Sequence, residues 1–199
     1  MQPYLLTLLI HILTFSFAYK ISNNLTLSLL INAITSTFAI YYFKKEFKLK
    51  LSLNPLAILT GLIIAFLWIV IDPYYKALGT PGTGTFTAID IILKLYIGVV
   101  LAAIIEEYFT RFFLLRWLIK EKWQKVKEAT YTHTSFIGTV LFFGLAHNRW
   151  LSGLISGILF NLLYYKTKKI DTLIMAHAIS NLALGLYVIY TGNYSFWLS

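Results

Sequence analysis

Two adjacent carboxylates, Glu106 and Glu107, lie in the apolar run IGVVLAAIIEEYFTRFFLLRWL, residues 97–118, with Arg111 four residues after Glu107. The run is long enough to cross a bilayer, where a charged side chain costs about 2.5–3.5 kcal/mol even on the lenient insertion scales, so charges kept there mark a function. Glu107 and Arg111 are i and i+4 on one helical face and neutralise each other. Glu106 sits about 100° round the same helix with no partner on it, which makes it the candidate general base.

Two of the four histidines fall within later apolar runs. His147 ends FFGLAH, one turn after Phe143; His177 lies in LIMAHAISN, one turn before Asn181 and on the same face. Taken singly, each imidazole reads as a hydrogen-bonding residue between helices. Taken with Glu106, they supply what peptide hydrolysis inside a membrane requires: a base, groups that orient water, and donors for an oxyanion.

Other chemistries find less support. The chain has no cysteine, so it has no thiol nucleophile and no disulfide. It has no His-Glu-x-x-His and no Gly-x-Gly-Asp, and Asp72 and Asp90 stand at loop edges. Ser156 falls in GLISGIL, where Gly153 and Gly157 form a small-xxx-small face, so it reads as a packing residue, as do Ser152 and Asn161. His11 and His133 have no polar company and read as structural. Two alternatives stay open: a metal-dependent hydrolase with Glu106, His147 and His177 around Zn²⁺, and a catalytically silent binding or immunity protein in which the same groups only fix helix packing.

The elements that must position these residues are membrane helices. Of 199 residues 58% are hydrophobic and 13% charged, and the mean hydropathy is +0.72, too apolar for a soluble domain of this size. The expectation is an all-α, multi-pass transmembrane bundle of about seven spans in one domain, residues 1–199, with the motifs confined to 97–190. The spans fall near 3–19, 25–43, 55–71, 97–118, 133–148, 150–165 and 171–190, and the first reads as a retained helix rather than a cleaved signal. Between the third and fourth, GTPGTGT reads as a loop, and the half-polar run with Asp90 and Lys94 as a segment lying along the interface. Trp123, Trp150 and Trp197 suit interfacial anchoring.

The net charge of +9 comes from lysines and arginines clustered between spans, which argues for membrane orientation and against nucleic-acid binding. The clusters at Lys44–Lys50, Arg116–Lys127 and Lys166–Lys169 share one side if the chain crosses seven times. That places them and the N-terminus in the cytoplasm and the C-terminus outside. Counted from that side at about 1.5 Å per residue, Glu106 lies ~20 Å deep and His147 ~22 Å, but His177 only ~10 Å.

With these residues in hand, the chain resembles the CAAX prenyl endopeptidase and bacteriocin-processing or immunity family, membrane-embedded glutamic proteases that include the Ras-converting endopeptidase. That family's motifs are Glu-Glu-x-x-x-Arg, Phe-x-x-x-His and His-x-x-x-Asn. They stand here, in order, as Glu106-Glu107-Tyr108-Phe109-Thr110-Arg111, Phe143-Gly144-Leu145-Ala146-His147 and His177-Ala178-Ile179-Ser180-Asn181. The resemblance implies a metal-free endopeptidase, without cofactor, acting on a membrane-anchored or lipid-modified protein or peptide. By the same resemblance Glu106 activates a water that His147 helps to hold, His177 and Asn181 stabilise the oxyanion, and Glu107, Arg111 and Phe143 brace the site.

Overall fold

The computed structural model describes residues 2–50, 54–78 and 85–197; the loop GTPGTGT lies, apart from Thr85, outside the described residues. Seven helices of membrane type run through them: α1 Pro3–Ser22, α2 Leu25–Tyr42, α3 Pro55–Ile71, α4 Ala88–Trp117, α5 His133–Leu145, α6 Trp150–Thr167 and α7 Ile170–Thr191. Five helical stretches are long and apolar enough to cross a bilayer, and large side chains such as Phe17, Phe38 and Phe66 face outward. The chain is therefore an all-helical integral membrane bundle.

Local sequence sets the helix ends. Pro3 and Pro55 occupy the first turns of α1 and α3, where a missing N–H costs nothing. Asn24 and Asn54 cap α2 and α3 through their side chains. Asn23 and Lys168 take left-handed conformations that close α1 and α6 and turn the chain straight back into α2 and α7. The result is an alternating bundle in which α1 packs on α2, α3 on α7 and α5 on α6. Tyr4, Phe47 and Trp123 meet at one end. That is the end to which all three basic clusters belong. At the other end Asp72 meets Arg149 and Lys94 meets Trp197.

The segment read as interfacial is instead the opening of α4. Thr87 and Asp90 form a reciprocal capping box, which starts the helix nine residues before the apolar run begins, and the helix continues to Trp117. Asp90 is thus a buried cap rather than a loop-edge residue. Asp72 lies in a short turn after α3, where its Oδ1 accepts from Arg149 Nε at 2.6 Å. Arg149 also donates to the Ser195 carbonyl at 2.9 Å, so the α5–α6 turn is sheltered by protein.

Small residues set how closely the helices approach. On α3, a Cβ added at Gly61 would stand 2.5 Å from the Ala176 carbonyl oxygen, one residue before His177. The obstacle is backbone, which cannot swing aside. Gly61→Ala is expected to lower stability by about 1–3 kcal/mol through overpacking against α7. Thermal unfolding in detergent measures it; an unchanged midpoint would mean that α3 and α7 are not held this closely.

Candidate active site

The site is organised by α4, whose regular turn Ala103–Glu107 is bracketed by two wider π-helical stretches, Tyr96–Ala102 and Tyr108–Leu114. Interruptions of this kind re-aim side chains and are frequent at functional positions. In the first stretch the Gly98 carbonyl accepts a hydrogen bond from Asn181 Nδ2 at 2.7 Å.

Glu107 is fully buried at the centre of the bundle. Its Oε1 accepts from Arg111 Nη1 at 3.0 Å and from His177 Nδ1 at 2.8 Å. Arg111, also fully buried, donates further from Nε to Asn161 Oδ1 at 3.2 Å and from Nη2 to the Gly157 carbonyl at 3.4 Å. Its guanidinium lies 4.4 Å from the Phe143 ring centroid and 5.3 Å from that of Phe160, an arrangement that offsets part of the cost of burying a cation. The Phe160 ring in turn stacks on His177 at 5.1 Å. The i, i+4 pair expected from sequence is therefore present and reaches α6 and α7 as well.

Asn161, read from sequence as a packing residue, instead joins Arg111 to α5: its Nδ2 donates to Thr139 Oγ1 at 2.8 Å. No motif spacing flags that role, because the partner is on another helix. Ser156 Oγ donates to the Ser152 carbonyl of its own helix at 2.8 Å, and Ser152 Oγ lies 2.8 Å from the Tyr75 hydroxyl.

Glu106 points the other way and is only partly covered. His147 lies just past the last residue of α5, where helix carbonyls run out of backbone partners. Its own N–H turns to the Gly144 carbonyl, and its ring Nδ1 donates to the Phe143 carbonyl at 2.7 Å. A carbonyl can only accept, so Nδ1 carries the hydrogen and Nε2 of the neutral ring is a bare acceptor. That Nε2 lies 3.9 Å from Glu106 Oε2, too far for a direct hydrogen bond but close enough for one water to donate to both. Trp68 packs edge-on against the imidazole at 5.6 Å.

A cavity of about 310 Å³ is lined by Glu106, His147, His177, Asn181 and Phe143 together. The depth count put His177 too shallow to join Glu106 and His147, yet all three line this cavity. Ile170, at the head of α7, packs in the same cluster as Phe109 and Phe113, and seven residues later His177 meets Glu107. A second cavity of about 300 Å³ reaches Glu106 and His147 from the α1–α2 side, past His11, Asn32 and Lys94. His11, expected to be merely structural, does bond Ser36 Oγ at 3.0 Å, yet it also lines this second cavity. His133 remains apart from the site, 2.8 Å from the Tyr131 hydroxyl. Among the described residues no group of three His, Asp or Glu side chains converges to hold a metal ion, and His177 is turned to Glu107 rather than to Glu106 and His147.

Residues 88–183 match the family model described as type II CAAX prenyl endopeptidase Rce1-like. The matched segment contains all three motifs, and the match bears out the resemblance read from them. No curated protein and no solved structure matches the chain.

The geometry around Arg111 sets a stability test. Arg111→Ala strips a buried carboxylate of its counter-charge and is expected to cost about 3–5 kcal/mol, whereas Glu107→Gln with Arg111→Gln removes both charges and is expected to cost less than the sum of the single changes. Denaturation of the four proteins in one detergent completes the cycle. Additive losses would show that the two side chains are not coupled.

Proposed function

We propose that this membrane protein, whose Rce1-like segment implies CAAX-type protease activity in general, is an intramembrane endopeptidase that hydrolyses a peptide bond with a water activated by Glu106. Its substrate is a membrane-anchored or lipid-modified protein or peptide. The observation that carries this reading is the division of labour between adjacent carboxylates: Glu107 is neutralised by Arg111, while Glu106 faces a cavity with the bare Nε2 of His147 3.9 Å away.

A water between two acceptors donates both hydrogens to them and leaves a lone pair directed outward, toward a scissile carbonyl. As its oxygen bonds to the carbonyl carbon, one proton passes to Glu106 and the carbonyl oxygen becomes an oxyanion. Asn181 Nδ2 has a second N–H beyond the one given to Gly98, and serves as one donor to that oxygen. His177 gives Nδ1–H to Glu107 and so donates from Nε2 in its doubly protonated form. When the tetrahedral intermediate collapses, the proton on Glu106 moves to the departing nitrogen and the C–N bond breaks. Glu107, Arg111, Asn161 and Phe143 hold the two histidines in place.

Glu106→Gln preserves shape without basicity, so cleavage of a membrane-anchored substrate in liposomes should fall to background while the melting temperature stays near that of the parent. Asn181→Ala, which removes one donor, should lower kcat by about 10²–10³. Activity of the Glu106 variant within tenfold of the parent would defeat the assignment, and zinc-restorable loss of activity on chelation would replace water activation by Glu106 with metal catalysis.

The basic clusters orient the bundle, in the same proposal, with Lys44, Lys122 and Lys168 toward the cytoplasm and Gly192 outside. The absence of native cysteine makes the check direct. Lys168→Cys should resist a membrane-impermeant thiol reagent in intact cells, and Asn193→Cys should react. The reverse pattern would invert the topology.

A further inference from the structure

The hydrolytic steps draw on one cavity, yet Glu106 and His147 line two. His177 and Asn181, the donors assigned to the oxyanion, belong to the first; His11, Asn32 and Thr110 belong to the second, which has a volume of about 300 Å³. A scissile carbonyl must lie where its donors are, so a bound substrate fills the first cavity and closes it to water. The second keeps its contact with Glu106 and His147.

Polar side chains at membrane depth are costly unless something meets them. Part of the polarity around the second cavity has a structural use. Asn32 Nδ2 donates to the His11 carbonyl and, at 3.1 Å, to Thr14 Oγ1, and so joins α2 to α1; His11 Nδ1 lies 3.0 Å from Ser36 Oγ. Two groups have no such use. Among the described residues no protein group bonds His11 Nε2, and Thr110 Oγ1, in a residue only 1% exposed, has no partner either. Thr110 stands one turn after Glu106, inside the second π-helical stretch of α4. Its hydroxyl makes no bond to the Glu106 carbonyl, the acceptor that a regular helix would offer it.

We propose that the second cavity is the water inlet of the site, delivering water to Glu106 and His147 from the α1 side while substrate occupies the first; the inference rests on the peptidase reading above. A cavity of this size holds several waters, provided that each finds about two to four polar partners. His11 Nε2 and Thr110 Oγ1 are such partners along the way. The last water is received between Glu106 Oε2 and His147 Nε2, which are 3.9 Å apart. The pair of acceptors is then filled from one side and used from the other. Each peptide bond cut consumes one water, and its replacement does not have to pass the substrate.

The test reads hydration first and needs no turnover. Ser16 of α1 is exposed and lines the second cavity, at its rim. Leu13 and Phe17, on either side of it along the same helix, are exposed as well but line neither cavity, and so face lipid. The chain has no cysteine, so a single cysteine placed at each position reports alone. In liposomes with 2-(trimethylammonio)ethyl methanethiosulfonate on both faces, Ser16→Cys should react about tenfold or more faster than Leu13→Cys and Phe17→Cys, because the reactive species is the thiolate and apolar surroundings suppress it. The attached group then narrows the rim. For cleavage of a membrane-anchored substrate, the modified Ser16→Cys protein should show a kcat about tenfold or more below that of the same protein before treatment, with KM unchanged, and dithiothreitol should restore it. The comparison is made on one folded chain, so a general loss of structure does not imitate the result. Equal reaction rates at the three positions would overturn the proposal, as would a kcat untouched by modification. A raised KM at constant kcat would overturn it too, by making the second cavity part of the substrate's seat. Fast reaction at Ser16 in a protein that cleaves nothing would leave the hydrated inlet standing and remove the peptidase reading.

Discussion

The structure turns on a charge that water does not reach. Arg111 and Glu107 lie fully buried, and in such surroundings breaking a pair costs more than the pair itself contributes, because the survivor has nowhere to place its charge. Each is therefore bound to several helices at once: Glu107 to α7 through His177, Arg111 to α6 through Asn161 and Gly157, and Asn161 onward to Thr139 of α5. In a membrane, where apolar surface gains little by facing another helix rather than lipid, satisfied polar contacts of this kind and close packing at small residues supply the specificity that a hydrophobic core supplies in water. The position of His177 is a consequence of where Glu107 must be neutralised.

Adjacent carboxylates acquire different surroundings from one helical rotation. About 100° separates successive side chains, enough to send Glu107 into the bundle and Glu106 into the cavity. The π-helical stretches on either side matter here, since they disturb the helix before and after residues 103–107 while leaving those turns regular. They also expose the Gly98 carbonyl to Asn181, so the same irregularity that aims the acids also fixes the amide.

Much of this was legible in the sequence, for a definite reason. Local relations, such as Glu107 with Arg111 or Phe143 with His147, follow from a four-residue period that any helix imposes, and seven apolar runs announce seven helices. What the period cannot carry is contact between helices. Asn161 reads as a small polar packing residue until Arg111 is seen beside it, and His11 reads as isolated until α1 is placed across the cavity from α5. The start of α4 was missed for a different cause. Asp90 and Lys94 lower the local hydropathy and suggest an interfacial segment, but the capping box at Thr87 and the Thr26 hydroxyl satisfy Asp90 inside the bundle.

With Asp90 satisfied by Thr26 and Thr87, Lys94 turns to the Trp197 carbonyl, which shows how polarity is distributed along α4. From its first turn to its sixth, the helix presents Asp90, whose carboxylate accepts from the Thr26 and Thr87 hydroxyls and the Thr87 N–H, then Lys94, Glu106 and the ion-paired Glu107. Each of the two buried carboxylates ties α4 to a neighbour, Asp90 to α2 and Glu107 to α7. The carboxylates that hold the bundle together are thus met by donors within the protein, whereas Lys94 and Glu106 line the cavities.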